Sequence, residues 1–127
     1  MAESAPSYSI AQVAERTGLS AHTLRYYERD GLLLAAVGRD SAGRRRYAEA
    51  DLRWIELLTC LRATGMPIRD IKEYAVLVRG GEGNEAARLA LLQRHRDVVL
   101  RRLAEVQGHL GAIEGKIALY RERTGRA

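Results

Sequence analysis

Ser9-Ile10-Ala11-Gln12-Val13-Ala14-Glu15-Arg16-Thr17-Gly18-Leu19-Ser20-Ala21-His22-Thr23-Leu24-Arg25-Tyr26-Tyr27-Glu28-Arg29-Asp30-Gly31 is the stretch that decides the fold. Ser9 has the side chain of an N-cap, and a helix through Ile10, Val13 and Ala14 should stop at Gly18. Ser20 caps a second helix, which ends before Gly31. Ala14 is small where two helices approach, Gly18 sits in the turn, and Leu24 falls on the inner face of the second helix. This is the spacing of a helix-turn-helix over residues 9–30, although an ordinary helical hairpin has it too.

The next segment favours the nucleic-acid reading. Residues 35–47 contain two short extended pieces around Asp40-Ser41-Ala42-Gly43, a turn composition that predicts a small hairpin. Arg39, Arg44, Arg45, Arg46 and Tyr47 are expected as polar or cationic tips of this wing, able to meet phosphates beside a groove-bound helix. A solvated charge run is the plain alternative for three consecutive arginines. It fits poorly here, because an amphipathic segment with Leu52, Ile55, Leu58 and Leu61 at three-residue steps follows at once.

That segment predicts a third helix over residues 49–63, broken by Gly65-Met66-Pro67, and a fourth over 67–79. The Gly-rich residues 80–85 are the expected hinge, separating a DNA-binding head (residues 1–79) from a final helix and short tail (86–127). In that helix Leu89, Leu92, Arg96, Val99, Leu103, Val106, Leu110, Ile113, Ile117 and Tyr120 alternate steps of three and four. One helix cannot bury such a stripe by itself, so a dimeric coiled coil is expected, with Arg96 snorkelling or setting register. Flanking charges do not decide strand orientation. Leu91, Val98 and Leu100 lie off the seam and suggest that the first half also packs against a head.

Composition bounds the function. The 127 residues allow one compact domain, or a small domain plus one long element, which excludes most large catalytic scaffolds. With Phe absent and aromatics at 6%, the apolar load rests on aliphatic residues, favouring a mainly α protein. The net charge of +5 divides into +1 for residues 1–66 and +4 for 67–127, so a DNA site in the head must be a local patch. A single cysteine excludes intramolecular disulfides and cysteine cages, and His22, His95 and His109 are too scattered for a metal site; no metal and no cofactor are expected. No leader-like or membrane-spanning apolar run is present, so a cytoplasmic protein without a membrane partner is expected.

Ser9-Ile10, Ala14, Gly18-Leu19-Ser20, Thr23-Leu24-Arg25-Tyr26-Tyr27-Glu28, Gly43-Arg44-Arg45-Arg46-Tyr47, Asp51-Leu52 and Gly65-Met66-Pro67-Ile68 together resemble the MerR family of transcription regulators over nearly the whole chain. The resemblance implies a bacterial, cytoplasmic homodimer joined by an antiparallel coiled coil, with two winged heads on a palindromic promoter element. It implies activation by kinking and untwisting an overlong spacer so that RNA polymerase engages both promoter elements. Thr23, Arg25, Tyr26 and Tyr27 would lie in the recognition helix, Arg25 reaching bases or phosphates and the tyrosines donating to phosphates, with a half-core place for Tyr26 or Tyr27 as the alternative, and Arg45 and Tyr47 match the wing's Arg-x-Tyr. Arg44 and Arg46 replace residues that are commonly Tyr and apolar, so their phosphate roles rest on charge alone.

The cysteines of the metal-sensing and redox branches are missing, and the stretch after Tyr120 is too short for an appended ligand-binding domain. The chain is therefore expected to resemble the short, one-domain branch. Some of its members that respond to aldehydes carry a lone cysteine in the third helix, where Cys60 stands. A helical wheel places Cys60 off the core face, near Arg53, which favours thiolate, and Glu56, which opposes it. Cys60 is thus a candidate thiol sensor or a tolerated surface cysteine, and the effector is otherwise unknown. An effector-independent DNA-bending protein is the alternative function. A small thiol enzyme lacks a base and an oxyanion hole, so no enzymatic activity is expected.

Overall fold

The structure is a computed structural model that describes residues 6–125. Its elements run β1 (Ser7–Ser9), α1 (Ile10–Thr17), α2 (Ala21–Arg29), β2 (Gly38–Arg39), β3 (Arg45–Ala48), α3 (Glu49–Ala63), α4 (Ile68–Arg79) and α5 (Glu85–Arg123). The fold is mainly helical with one small antiparallel sheet, as the composition predicts.

The helix starts follow the local chemistry. The Ser9 hydroxyl accepts from the Gln12 amide at 3.2 Å while the Gln12 side chain accepts from the Ser9 amide at 2.8 Å, a complete capping box. Ser20 accepts from the Thr23 amide at 3.0 Å. Gly18 ends α1 at φ 75°, where its N–H donates to the Ala14 carbonyl at 2.9 Å; a side chain there would strain the turn. At α3, Ala48 offers no capping side chain, and the Asp51 carboxylate instead accepts the Ala48 amide at 2.9 Å.

The sheet has one strand more than the expected hairpin. Its order is β1-β3-β2, with Tyr8 opposite Tyr47 and Arg39 opposite Arg45. Strand β1 has no local signal in the sequence, because three residues show no periodicity and their partner lies some forty positions away. Ser9 therefore serves two elements, closing β1 and capping α1.

The described residues form two units, one reaching to Leu91 and the other beginning at Leu92. In the first, Val13, Leu24, Leu32, Tyr47, Leu52, Ile55, Leu58, Met66 and Ile71 are essentially fully buried. The α3 face read from sequence is all buried, and Trp54 joins it, donating from its indole N–H to the Leu32 carbonyl at 2.8 Å and stacking on Tyr74 at 5.6 Å. The expected boundary at 80–85 falls inside this unit. There the Asn84 side-chain NH2 donates to the Leu77 carbonyl at 2.6 Å, and Arg88 donates to the Asn84 side-chain oxygen at 2.8 Å and to the Gly81 carbonyl at 3.1 Å. Leu91 is buried, whereas Val98 and Leu100, expected to share its packing face, are exposed.

The second unit is the remainder of α5. Its seam side chains Leu103, Val106, Leu110, Ile113, Ile117 and Tyr120 are 45–57% exposed along a single helix. Arg96 lies 3.8 Å from Asp97, its neighbour in sequence.

Candidate nucleic-acid interface

Helix α2 has two faces. Leu24 and Tyr27 point into the core, while His22, Arg25 and Arg29 are exposed and recur at helical spacing along the outer face. Among the described residues no carboxylate forms an ion pair with Arg25. The Thr23 hydroxyl is 3.0 Å from that of Ser20, within the cap that starts the helix. Tyr26 is half-buried, with its ring 5.9 Å from that of Tyr27. Burial pushes the Tyr27 phenol up, with Arg62 opposing, so this tyrosine is the core member of the pair.

The wing is built on Asp40. Its carboxylate accepts from the amides of Ala42 and Arg44, each at 2.9 Å, and from the Arg44 guanidinium at 3.1 Å, while Gly43 supplies the left-handed turn at φ 78°. These bonds, the Arg44 amide first, hold the Asp40 carboxyl below its ordinary range. Arg44 itself is 80% exposed, the most open cation of the wing.

Strand alternation divides the arginine run. On β3, Arg45 and Tyr47 face one side and Arg46 the other. Arg46 donates to the Ser7 hydroxyl at 2.9 Å and the Ser7 carbonyl at 3.0 Å, fastening β1 to the sheet. Arg45 reaches back to α2, its Nε 2.6 Å from the Glu28 carboxylate, and Arg39 of β2 lies 3.7 Å from the other Glu28 oxygen.

Tyr47 is not a wing tip. It is completely buried, and its hydroxyl has no hydrogen-bond partner among the described residues. Burial raises its phenol, as does the nearby Glu28 charge, against the opposing Arg45, Arg25 and Arg39. The alternation that sends Arg45 toward α2 sends Tyr47 into the core on the same side.

Arg25 of α2 thus stands beside a wing that carries Arg39, Arg44 and Arg45, and the Glu28 carboxylate ties Arg39 and Arg45 to the helix. Glu28 was missed in the sequence because an acid carries no anion-binding signal; the clue available was its position as the acid between two cation-rich segments. Arg29 and His22 were missed for a different reason: only the buried face of α2 shows which residues point out.

Residues 8–76 match the MerR HTH family of regulatory proteins. A Haemophilus influenzae HTH-type transcriptional regulator, itself uncharacterised, is 40% identical over 91% of this chain and 85% of its own length. The chain belongs to the MerR family of transcriptional regulators. The Bacillus subtilis HTH-type transcriptional regulator AdhR is 44% identical over 69% of this chain and 62% of its own. Among solved MerR structures, HiNmlR, a regulator lacking the sensor domain and bound to promoter DNA, superimposes with a TM-score of 0.85. It shares 39% identity, and the match covers 95% of this chain and 92% of that one.

In this MerR chain the cysteine singled out in sequence, Cys60, is exposed on α3. Arg53, read as its thiolate-favouring neighbour, lies 4.0 Å from Glu49. Among the described residues no cluster of three His, Cys, Asp or Glu side chains could hold a metal, and no helix is long and apolar enough to cross a membrane.

Proposed function

We propose that this chain is a promoter-reading homodimer in which the α2 outer face enters the major groove and the wing lies on the adjoining phosphate backbone. The observation that carries this reading is the open cationic surface of Arg25 and Arg44 beside the wing pair Arg39 and Arg45. Thr23 and Tyr26 complete the helix's contribution from its partly exposed flank. The promoter-bound HiNmlR, which shares the fold along nearly all of its length, supports DNA as the ligand.

The seam of α5, with Leu89 and the six side chains from Leu103 to Tyr120 exposed and Leu92 and Val99 half-buried, would pair with a second copy in antiparallel fashion. Two heads so joined read a palindrome and bend the spacer between them, so that polymerase engages a promoter it otherwise meets poorly. Cys60 would let an electrophile alter that bend, its thiol being open to solvent.

Binding to a duplex from upstream of the chain's own gene tests the interface. Arg25→Ala is expected to cost about 1–3 kcal/mol and to relax preference at particular base pairs, and Arg44→Ala to weaken all duplexes alike and lower the salt slope by about one. Unchanged binding in both variants would refute the assignment. Run-off transcription with aldehyde-treated protein tests the switch: a response that survives Cys60→Ser removes the thiol from the mechanism, and a bound but unresponsive promoter points to a different ligand or to none.

A further inference from the structure

Glu28 is placed where an anion is doubly unfavourable. It lies in the last turn of α2, at the carbonyl end of the helix dipole, and on the element proposed to approach a polyanion. What offsets this is geometry. Arg45 Nε from β3 stands 2.6 Å from one carboxylate oxygen and an Arg39 terminal nitrogen from β2 stands 3.7 Å from the other, so both strands of the wing end on one side chain of the helix. Arg39 also donates to the Gly43 carbonyl at 3.2 Å, which links the same junction to the wing turn.

We infer that Glu28 is a specificity-determining positioning residue, which fastens the wing cations to the recognition helix so that they meet phosphates only when α2 is seated in the groove. The inference rests on the DNA reading above. One carboxylate between two guanidiniums leaves a single net positive charge at the junction, enough to attract a phosphate and too little to hold any duplex in any register. Freed from Glu28, the same two arginines would swing toward whichever phosphates were nearest. Non-specific binding would gain, and its dependence on salt would steepen, because each additional neutralised phosphate releases counterions. The buried Tyr47 phenol, raised in part by the Glu28 charge, is consistent with the carboxylate standing over the root of the wing.

The test compares Glu28→Gln with Glu73→Gln, a charge-matched change at an exposed position of α4, each titrated with the promoter duplex and a random duplex over a range of salt. Glu28→Gln is expected to steepen the random-duplex slope by about one and to lower the promoter-to-random ratio roughly tenfold, the scale of one misplaced base contact. Glu73→Gln should do neither. Glu28→Asp keeps the charge but shortens the reach by one methylene, and should lower the ratio by less. Loss of fold would weaken both duplexes and flatten the slope, the opposite sign, and the Asp variant then carries the test. Slopes and ratios equal to the wild type in both Glu28 variants, or equal effects from Glu73→Gln, would overturn the inference. A wild-type chain that fails to prefer its promoter would overturn the DNA reading itself, and Glu28's role with it.

Discussion

Tyr47 shows how much a single residue's direction decides. By composition it belongs with the arginines that precede it, and a phenol beside three guanidiniums invites a phosphate. The strand turns it inward, where its hydroxyl is buried without a partner among the described residues. Leaving a buried hydroxyl unpaired costs free energy, so Tyr47→Phe is expected to be neutral or stabilising by up to about 1 kcal/mol in thermal unfolding, with promoter affinity unchanged. A drop in affinity at constant stability would restore Tyr47 to the interface. The sequence could not show this, because a strand of four residues does not reveal which parity faces the core. Cys60 could be placed: helix α3 carries a complete apolar row, and a residue well off that row is exposed, as Cys60 is.

Whole elements were legible where their signals are local. Caps at Ser9 and Ser20, the stop at Gly18 and the apolar row of α3 each lie within a few residues of what they control. Strand β1 and the tied stretch after α4 were not legible, since the first depends on pairing with β3 and the second on Asn84 and Arg88 reaching back to earlier carbonyls. The end of α2 is a similar long-range tie. Lys72 of α4 stands 3.1 Å from Asp30, Arg79 donates to the Gly31 carbonyl, and hydrogen bonds from Lys72 and then Tyr26 hold the Asp30 carboxyl below its usual value. A depressed acid stabilises the fold above its unfolded value and loses that contribution as pH falls through its folded value. Urea unfolding should therefore show wild type ahead of Asp30→Asn at neutral pH, with the gap closing below about pH 4. A gap that persists at the same size in acid would remove Asp30–Lys72 from the support of α2.

At the scale of the whole molecule, the unexplained feature is a long helix whose apolar seam faces solvent. Helix α5 has 39 residues, about 58 Å of rise, and from Leu103 onward each seam side chain leaves roughly half its surface open. Gly108, Gly111 and Gly115 each cost about 1 kcal/mol relative to Ala, and a Cβ at any of them would meet nothing within 4 Å. Such a helix is poorly stable alone, so the seam needs a covering surface, and a second copy offers one of matching length and spacing. In an antiparallel pair the midpoint of a seam running from Leu89 to Tyr120 meets itself, and Leu103 and Val106 flank that midpoint. Val106→Asp would then bring two carboxylates together in a dry contact, whereas the same change at Leu89 would leave them at opposite ends. Sedimentation should show the wild type as a dimer at micromolar concentration, with dissociation raised at least about a hundredfold by Val106→Asp and far less by Leu89→Asp. Promoter affinity should fall with the dimer, because joining two heads is what makes the second contact intramolecular. Equal effects from the two substitutions would argue for parallel pairing, and a wild-type monomer with full promoter affinity would overturn the coiled coil altogether.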